Sequence, residues 1–118
     1  AIDLVSCKPS LIETALSRNI PIISSMGTGN KQDPTRFRIA DINQTSGCHL
    51  ARVIRRELKN RGIAHHKVLF SDEIPITPLP LEAPPPGRRS IPASLSWVPS
   101  CAGLMLGGYV VRDLIDAL

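Results

Sequence analysis

The run from Ser24 to Gly62, SSMGTGNKQDPTRFRIADINQTSGCHLARVIRRELKNRG, decides the fold. It joins a strand ending, a glycine-bearing turn, a second strand and a basic helix. Polar and apolar residues alternate from Arg36 to Ile42, which predicts a half-buried strand. From His49 to Arg61 the apolar residues Leu50, Val53, Ile54 and Leu58 fall on one stripe, and Arg52, Arg55, Arg56 and Lys59 take the remaining surface. That spacing predicts a helix that buries one side and shows a cationic face, with Gly62 as its stop. Just ahead of the run, Ile20-Pro21-Ile22-Ile23-Ser24 is apolar without alternation. This is expected of a parallel-sheet strand covered on both faces, with proline at its permitted first position.

Further outward, Lys8-Pro9-Ser10-Leu11-Ile12-Glu13 reads as a helix start, with proline tolerated in the first turn and Asn19 closing the helix. Lys67 to Ser71 is another strand. Residues 74–92 hold seven of the eleven prolines (Pro75, Pro78, Pro80, Pro84, Pro85, Pro86, Pro92) and are expected to form a loop within the domain. Ser94 to Val98 is expected to be a strand, Pro99-Ser100 a turn, and Cys101 to Leu118 a helix. The small residues Ala102, Gly103, Gly107 and Gly108 let another backbone come close, as in a buried core helix or a close-packed seam between two copies.

A chain of 118 residues, 42% hydrophobic, suits one domain with a modest core. Aromatics are only 3%, so the core is aliphatic and stacking platforms for single-stranded nucleic acid are scarce. Cys7, Cys48 and Cys101 are odd in number and far apart. They argue against a disulfide framework and a structural zinc, and favour a reducing, cytoplasmic setting. No apolar run reaches the roughly 18 residues of a membrane span, and Cys101 to Val111 reads as a buried helix. The net charge of +4 is unevenly spread, with six Lys or Arg between Arg52 and Lys67.

Together with Ile2-Asp3 and Lys8 ahead of it and PPPGRRSIPASLSWVPSCAGLMLGGYVVRDL (84–114) behind it, the central run resembles the tRNA threonylcarbamoyladenosine dehydratases. These form a branch of the ThiF/MoeB adenylate-forming superfamily that also contains the ubiquitin-activating enzymes. The resemblance covers nearly the whole chain. It implies an α/β fold, the C-terminal half of a Rossmann-like ThiF-type domain, with a mixed sheet and flanking helices. The glycine-rich turn that opens such domains has no counterpart, because Met26-Gly27-Thr28-Gly29-Asn30 runs into Asp33-Pro34 and no helix follows directly. A chain opening on Ala1-Ile2-Asp3 is therefore expected to be a piece of a longer enzyme, inactive by itself.

The resemblance implies ATP and Mg2+ as cofactors, tRNA as partner and a homodimer. It places Asp3 on the magnesium of Mg-ATP, where a hard cation needs carboxylate oxygen. Lys8, five positions on, is expected to act as a point charge on a phosphate. Cys48 beside His49 is a candidate nucleophile. The family cysteine on the strand that here reads Val68-Leu69-Phe70-Ser71 is missing, which weakens any covalent step. Arg52, Arg55, Arg56 and Lys59, with Arg88 and Arg89, are candidates for tRNA phosphates. His65-His66 lacks a completed ligand set and reads as a pair of solvated turn residues. Two other readings stay open: activation of a small sulfur-carrier or ubiquitin-like protein, with a sulfur-transfer partner, and a non-catalytic dimerisation or tRNA-docking module.

Overall fold

The structure is a computed structural model that describes residues 6–76 and 95–118. Three helices and three strands follow one another as α1 (Lys8–Ser17), β1 (Ser24–Ser25), β2 (Phe37–Asp41), α2 (His49–Asn60), β3 (Lys67–Ser71) and α3 (Trp97–Asp116), with 3-10 turns at Pro34–Arg36 and Ile42–Gln44. The sheet order is β1-β3-β2. β1 runs parallel to β3, with Ser24 opposite Val68, and β2 runs antiparallel to it, from Phe37 opposite Ser71 to Asp41 opposite Lys67. This is the α/β fold with a mixed sheet and flanking helices that the sequence implied.

β3 is the central strand, and alternation along it divides the core in two. Val68 and Phe70 join Ile12 of α1 and Ala51, Ile54 and Leu58 of α2 on one face. Leu69 points the other way, to Phe37, Val98 and Ala102. The ends of α1 and α2 are built alike. Asn19 (φ 56°) and Gly62 (φ 76°) take the left-handed conformation, and the next amide reaches back into the last turn: Ile20 N to Ala15 O at 2.9 Å, and Ile63 N to Leu58 O at 2.8 Å. These bonds satisfy carbonyls that the helix leaves open. Leu50 and Val53, placed on the buried stripe of α2 from the sequence, are only half-buried, and Ala51 takes the inner place.

Three expectations need correction. The apolar run from Ile20 contributes only Ser24–Ser25 to the ladder; Ile20 is 51% exposed and Pro21 offers no amide to a neighbour. The strand expected over Ser94–Val98 does not form in its described part, since α3 already begins at Trp97. Pro99 falls in the first helical turn, where its missing amide costs nothing, instead of breaking the chain. Nor is the C-terminal segment a buried core helix. Only Val98 and Ala102 of α3 are fully buried, while Leu104, Val111, Leu114 and Ile115 are exposed. Among the described residues α3 is also long and apolar enough to cross a membrane by length and composition. In the fold it lies along the sheet, tied midway by Lys67 Nζ, which bonds Tyr109 Oη and sits 4.9 Å from that ring's centroid. Of the proline-rich loop, residues 77–92, with Arg88 and Arg89, lie outside the described residues.

Candidate functional site

In open α/β sheets ligands bind beyond the carboxyl ends of the parallel strands. Beyond the end of β1, Ser25 to Thr28 form one wall of a cleft of about 360 Å³, with Lys8, Leu50 and the α3 residues Ala102, Gly103 and Leu106 around it. Lys8 is the first residue of α1, and its Nζ donates to Ser25 O at 3.4 Å. Lys8 thus lines the cleft with its ammonium held by one long bond and its other protons available to an anion. Asp3, the other residue expected at the nucleotide, lies outside the described residues. Among the described residues no group of three His, Cys, Asp or Glu is arranged to hold a metal ion.

The turn after the cleft is fastened from below. Lys31 is only 2% exposed and donates from Nζ to Ser71 O at 2.8 Å. The amides of Gln32 and Asp33 donate to the two carboxylate oxygens of Glu73, at 2.8 and 3.0 Å. Arg36 and Arg38 both reach Asp72, at 2.7 and 3.1 Å, and the Arg36 contact holds the Asp72 carboxyl below its ordinary range. Gly47 closes over the same segment at φ 68°, where a Cβ would lie 3.1 Å from Asp72 O. None of this clamp was named as functional from the sequence. Its only local sign is the density of Lys, Asp and Arg around Pro34.

Cys48 is the N-cap of α2, and its Sγ accepts from Ala51 N at 3.4 Å. The imidazole of His49 is turned to Arg52, whose Nη2 donates to Nδ1 at 3.1 Å. Among the described residues no hydrogen bond joins the thiol of Cys48 to the imidazole of His49. His65 is exposed and pairs with Asp41 Oδ2 at 3.2 Å. His66, expected in solvent, is 4% exposed, because the β1–β3 pairing draws it inside. Its Nε2 meets Ser24 Oγ at 2.8 Å, while Nδ1 has no partner among the described residues. Burial lowers its pKa, and Asp41 opposes that in part.

Arg52, Arg55, Arg56 and Lys59 do come together. They line a second cleft, of about 510 Å³, closed on its other side by Ile42, Asn43, Ile63 and Ala64. A third, of about 560 Å³, lies between Ile22-Ile23, the start of β3 and the second half of α3.

No protein-family model matches the chain. It is 44% identical, over 98% of its length, to the tRNA threonylcarbamoyladenosine dehydratase of Bacillus subtilis. It is 35% identical, again over 98% of its length, to tRNA threonylcarbamoyladenosine dehydratase 2 of Saccharomyces cerevisiae. The chain spans 49% of the first relative and 30% of the second. The crystal structure of the E. coli tRNA N6-threonylcarbamoyladenosine dehydratase superposes with a TM-score of 0.81 at 22% identity, covering 98% of this chain and 47% of that one. The same enzyme in complex with ATP gives 0.80 at 23% identity, covering 99% of this chain and 46% of that one. At that identity the likeness establishes the fold, and the sequence comparisons establish homology: nearly the whole chain is homologous to part of the tRNA threonylcarbamoyladenosine dehydratases, matching about half of the Bacillus protein's length.

Proposed function

We propose that the protein containing this chain uses ATP to adenylate the carboxylate of threonylcarbamoyladenosine in tRNA, and that the carbamoyl group then closes on the activated carbonyl and expels AMP. The net change is a dehydration. The observation that carries this reading is the 44% identity to the Bacillus dehydratase across nearly the whole chain. Lys8, which lines the cleft beyond β1, supports this reading as a charge available to a phosphate oxygen. In this reading Asp3 holds the magnesium of Mg-ATP, and the glycine-rich phosphate turn belongs to a part of the protein this chain lacks, so the chain alone does not turn over. The ion supplies neutralisation of charge between the phosphates. Cys48 forms no covalent intermediate, since its sulfur caps α2 and ring closure is intramolecular.

The exposed apolar side of α3 favours association with a second copy. A methyl group added at Gly103, Gly107 or Gly108 would meet nothing within 4 Å, which leaves room for another backbone. The reaction is tested by incubating the full-length protein with ATP and tRNA bearing threonylcarbamoyladenosine. AMP release matched to loss of one water from the nucleoside, read by mass spectrometry, supports the proposal. Transfer of AMP to a carrier-protein C-terminus instead would favour the sulfur-carrier reading.

A further inference from the structure

The cleft between α2 and the Ile42–Gln44 turn gathers four cations in one concavity and leaves them without carboxylates among the described residues. Some surface cations do find carboxylates, Arg36 and Arg38 at Asp72, Arg61 at Glu13 and His65 at Asp41, while Arg18 and Arg112 stand singly without one. Among the described residues none of Arg52, Arg55, Arg56 and Lys59 has a carboxylate within 4.0 Å, and no carboxylate lines the cleft. Glu57 is the one acidic residue of α2, and it is not part of the lining.

Two of the four are held in place without being neutralised. Arg55 Nη1 donates to Thr45 O at 3.2 Å and to Thr45 Oγ1 at 2.7 Å, and that hydroxyl in turn donates to Ile42 O at 2.7 Å. One edge of the guanidinium is therefore fixed to the turn, while its remaining N–H groups keep no acceptor among the described residues. Arg52 is steadied by His49 Nδ1. The opposite wall is set by Asn43, whose Nδ2 donates to Ala64 O at 2.6 Å. An ordinary solvated arginine face needs no concavity and no guanidinium anchored by neutral acceptors. A groove of this size with four unmatched cations fits a chain of phosphates, because held guanidinium forks meet phosphate oxygens with little further loss of side-chain freedom.

We infer that this cleft is the seat of an RNA phosphodiester backbone, gripped by Arg52, Arg55, Arg56 and Lys59. The inference rests on the reading that tRNA is the substrate and adds where its backbone lies. With few aromatics to stack on and a helix offering only charge, the seat reads phosphates and not bases.

The test is fluorescence polarisation of the full-length protein with labelled tRNA across a potassium chloride series. Arg56→Gln with Lys59→Gln is compared with Arg112→Gln, an exposed cation on α3. The double variant is expected to bind about tenfold or more weakly at about 0.1 M salt and to lower the slope of log affinity against log salt by about two, one per lost contact. Arg112→Gln keeps both values. Circular dichroism confirms that the variants stay folded. Unchanged affinity and slope in the double variant overturn the inference. So does a variant that loses displacement by inorganic phosphate yet binds tRNA as before, since the cleft would then hold a small anion only. AMP release with the threonylcarbamoyladenosine tRNA, measured alongside, separates this inference from the proposed reaction. A wild type that binds tRNA through these residues but releases no AMP keeps the seat and removes the reaction. An active wild type whose double variant binds tRNA equally well does the reverse.

Discussion

Lys31 places its ammonium 2.8 Å from the carbonyl oxygen of Ser71, forty positions on in the chain, although only 2% of the lysine is exposed. The bond ties the turn after β1 to the end of β3, the same two strands that pair in parallel. A buried ammonium has a high desolvation cost unless bonded, and here it also satisfies a strand-end carbonyl. Lys31→Met keeps the aliphatic volume but leaves Ser71 O without its donor, and is expected to lower stability by about 1–3 kcal/mol. A urea midpoint equal to that of the wild type would show that the bond contributes nothing.

Two glycines of the chain are expected to respond in opposite directions. Gly47→Ala forces a Cβ onto a left-handed residue, 3.1 Å from Asp72 O, and should destabilise by about 1–2 kcal/mol. Gly107→Ala adds a methyl in open space inside α3, where alanine is the better helix former, and should stabilise by about 0.5–1 kcal/mol. Thermal melts of both variants check the pair. A stabilised Gly47→Ala would mean that the turn relaxes away from residue 72.

His66 sets an acid limit on the fold. Its folded pKa lies below the unfolded value, so the folded state takes up its proton later than the unfolded chain does. The associated stability is fully present above about pH 6.5 and declines as pH falls through that value. The lowered carboxyls of Asp33, through its bonds to Thr35, and of Asp72 act in a separate window, losing their contribution only below about pH 4. His66→Phe should flatten the fall in urea midpoint between about pH 7 and 5. An equal fall in both proteins would place the acid sensitivity elsewhere.

If the cleft beyond β1 takes the nucleotide as proposed, Lys8→Ala in the full-length protein should weaken ATP binding by about tenfold or more, the worth of one charged hydrogen bond. Asp3→Ala should stop AMP release without unfolding the protein, whereas Cys48→Ser should keep it. Isothermal titration and single-turnover assays give the answers. Wild-type ATP affinity in the first variant would remove Lys8 from the site.

The apolar side of α3 gives the fifth expectation. Leu114 is 64% exposed and Val111 56%. If a second copy covers them, Val111→Glu with Leu114→Glu shifts the protein from dimer to monomer in sedimentation velocity, with the helix retained. A dimer that persists in the double variant would mean that other surfaces join the copies.

How much of the fold could be read in advance depends on whether the deciding interaction was local. β3 was legible to the residue because Val68-Leu69-Phe70 is a short apolar run that must be buried on both faces. α2 was legible from its stripe and from Gly62. The start of α3 was not, since Pro99 reads equally as a breaker or as a first-turn residue, and only packing of Val98 against Phe37 and Leu69 decides it. Lys8 was legible as the start of α1, because Pro9 behind it is tolerated only in a first turn. The burial of Lys31 and His66 was not, because each depends on a partner about forty residues away, Ser71 and Ser24.

β1 pairs with β3 on one side only, and among the described residues its other side meets no strand. Next to it stands the apolar run Ile20 to Ile23, barely engaged in the ladder. An unpaired rim of amides and carbonyls beside isoleucines is a template on which any extended segment can lie. Expressed alone, the chain is therefore expected to be prone to stacking rim to rim into insoluble material, and a lysine or proline introduced at Ile22 would act as a guard against it.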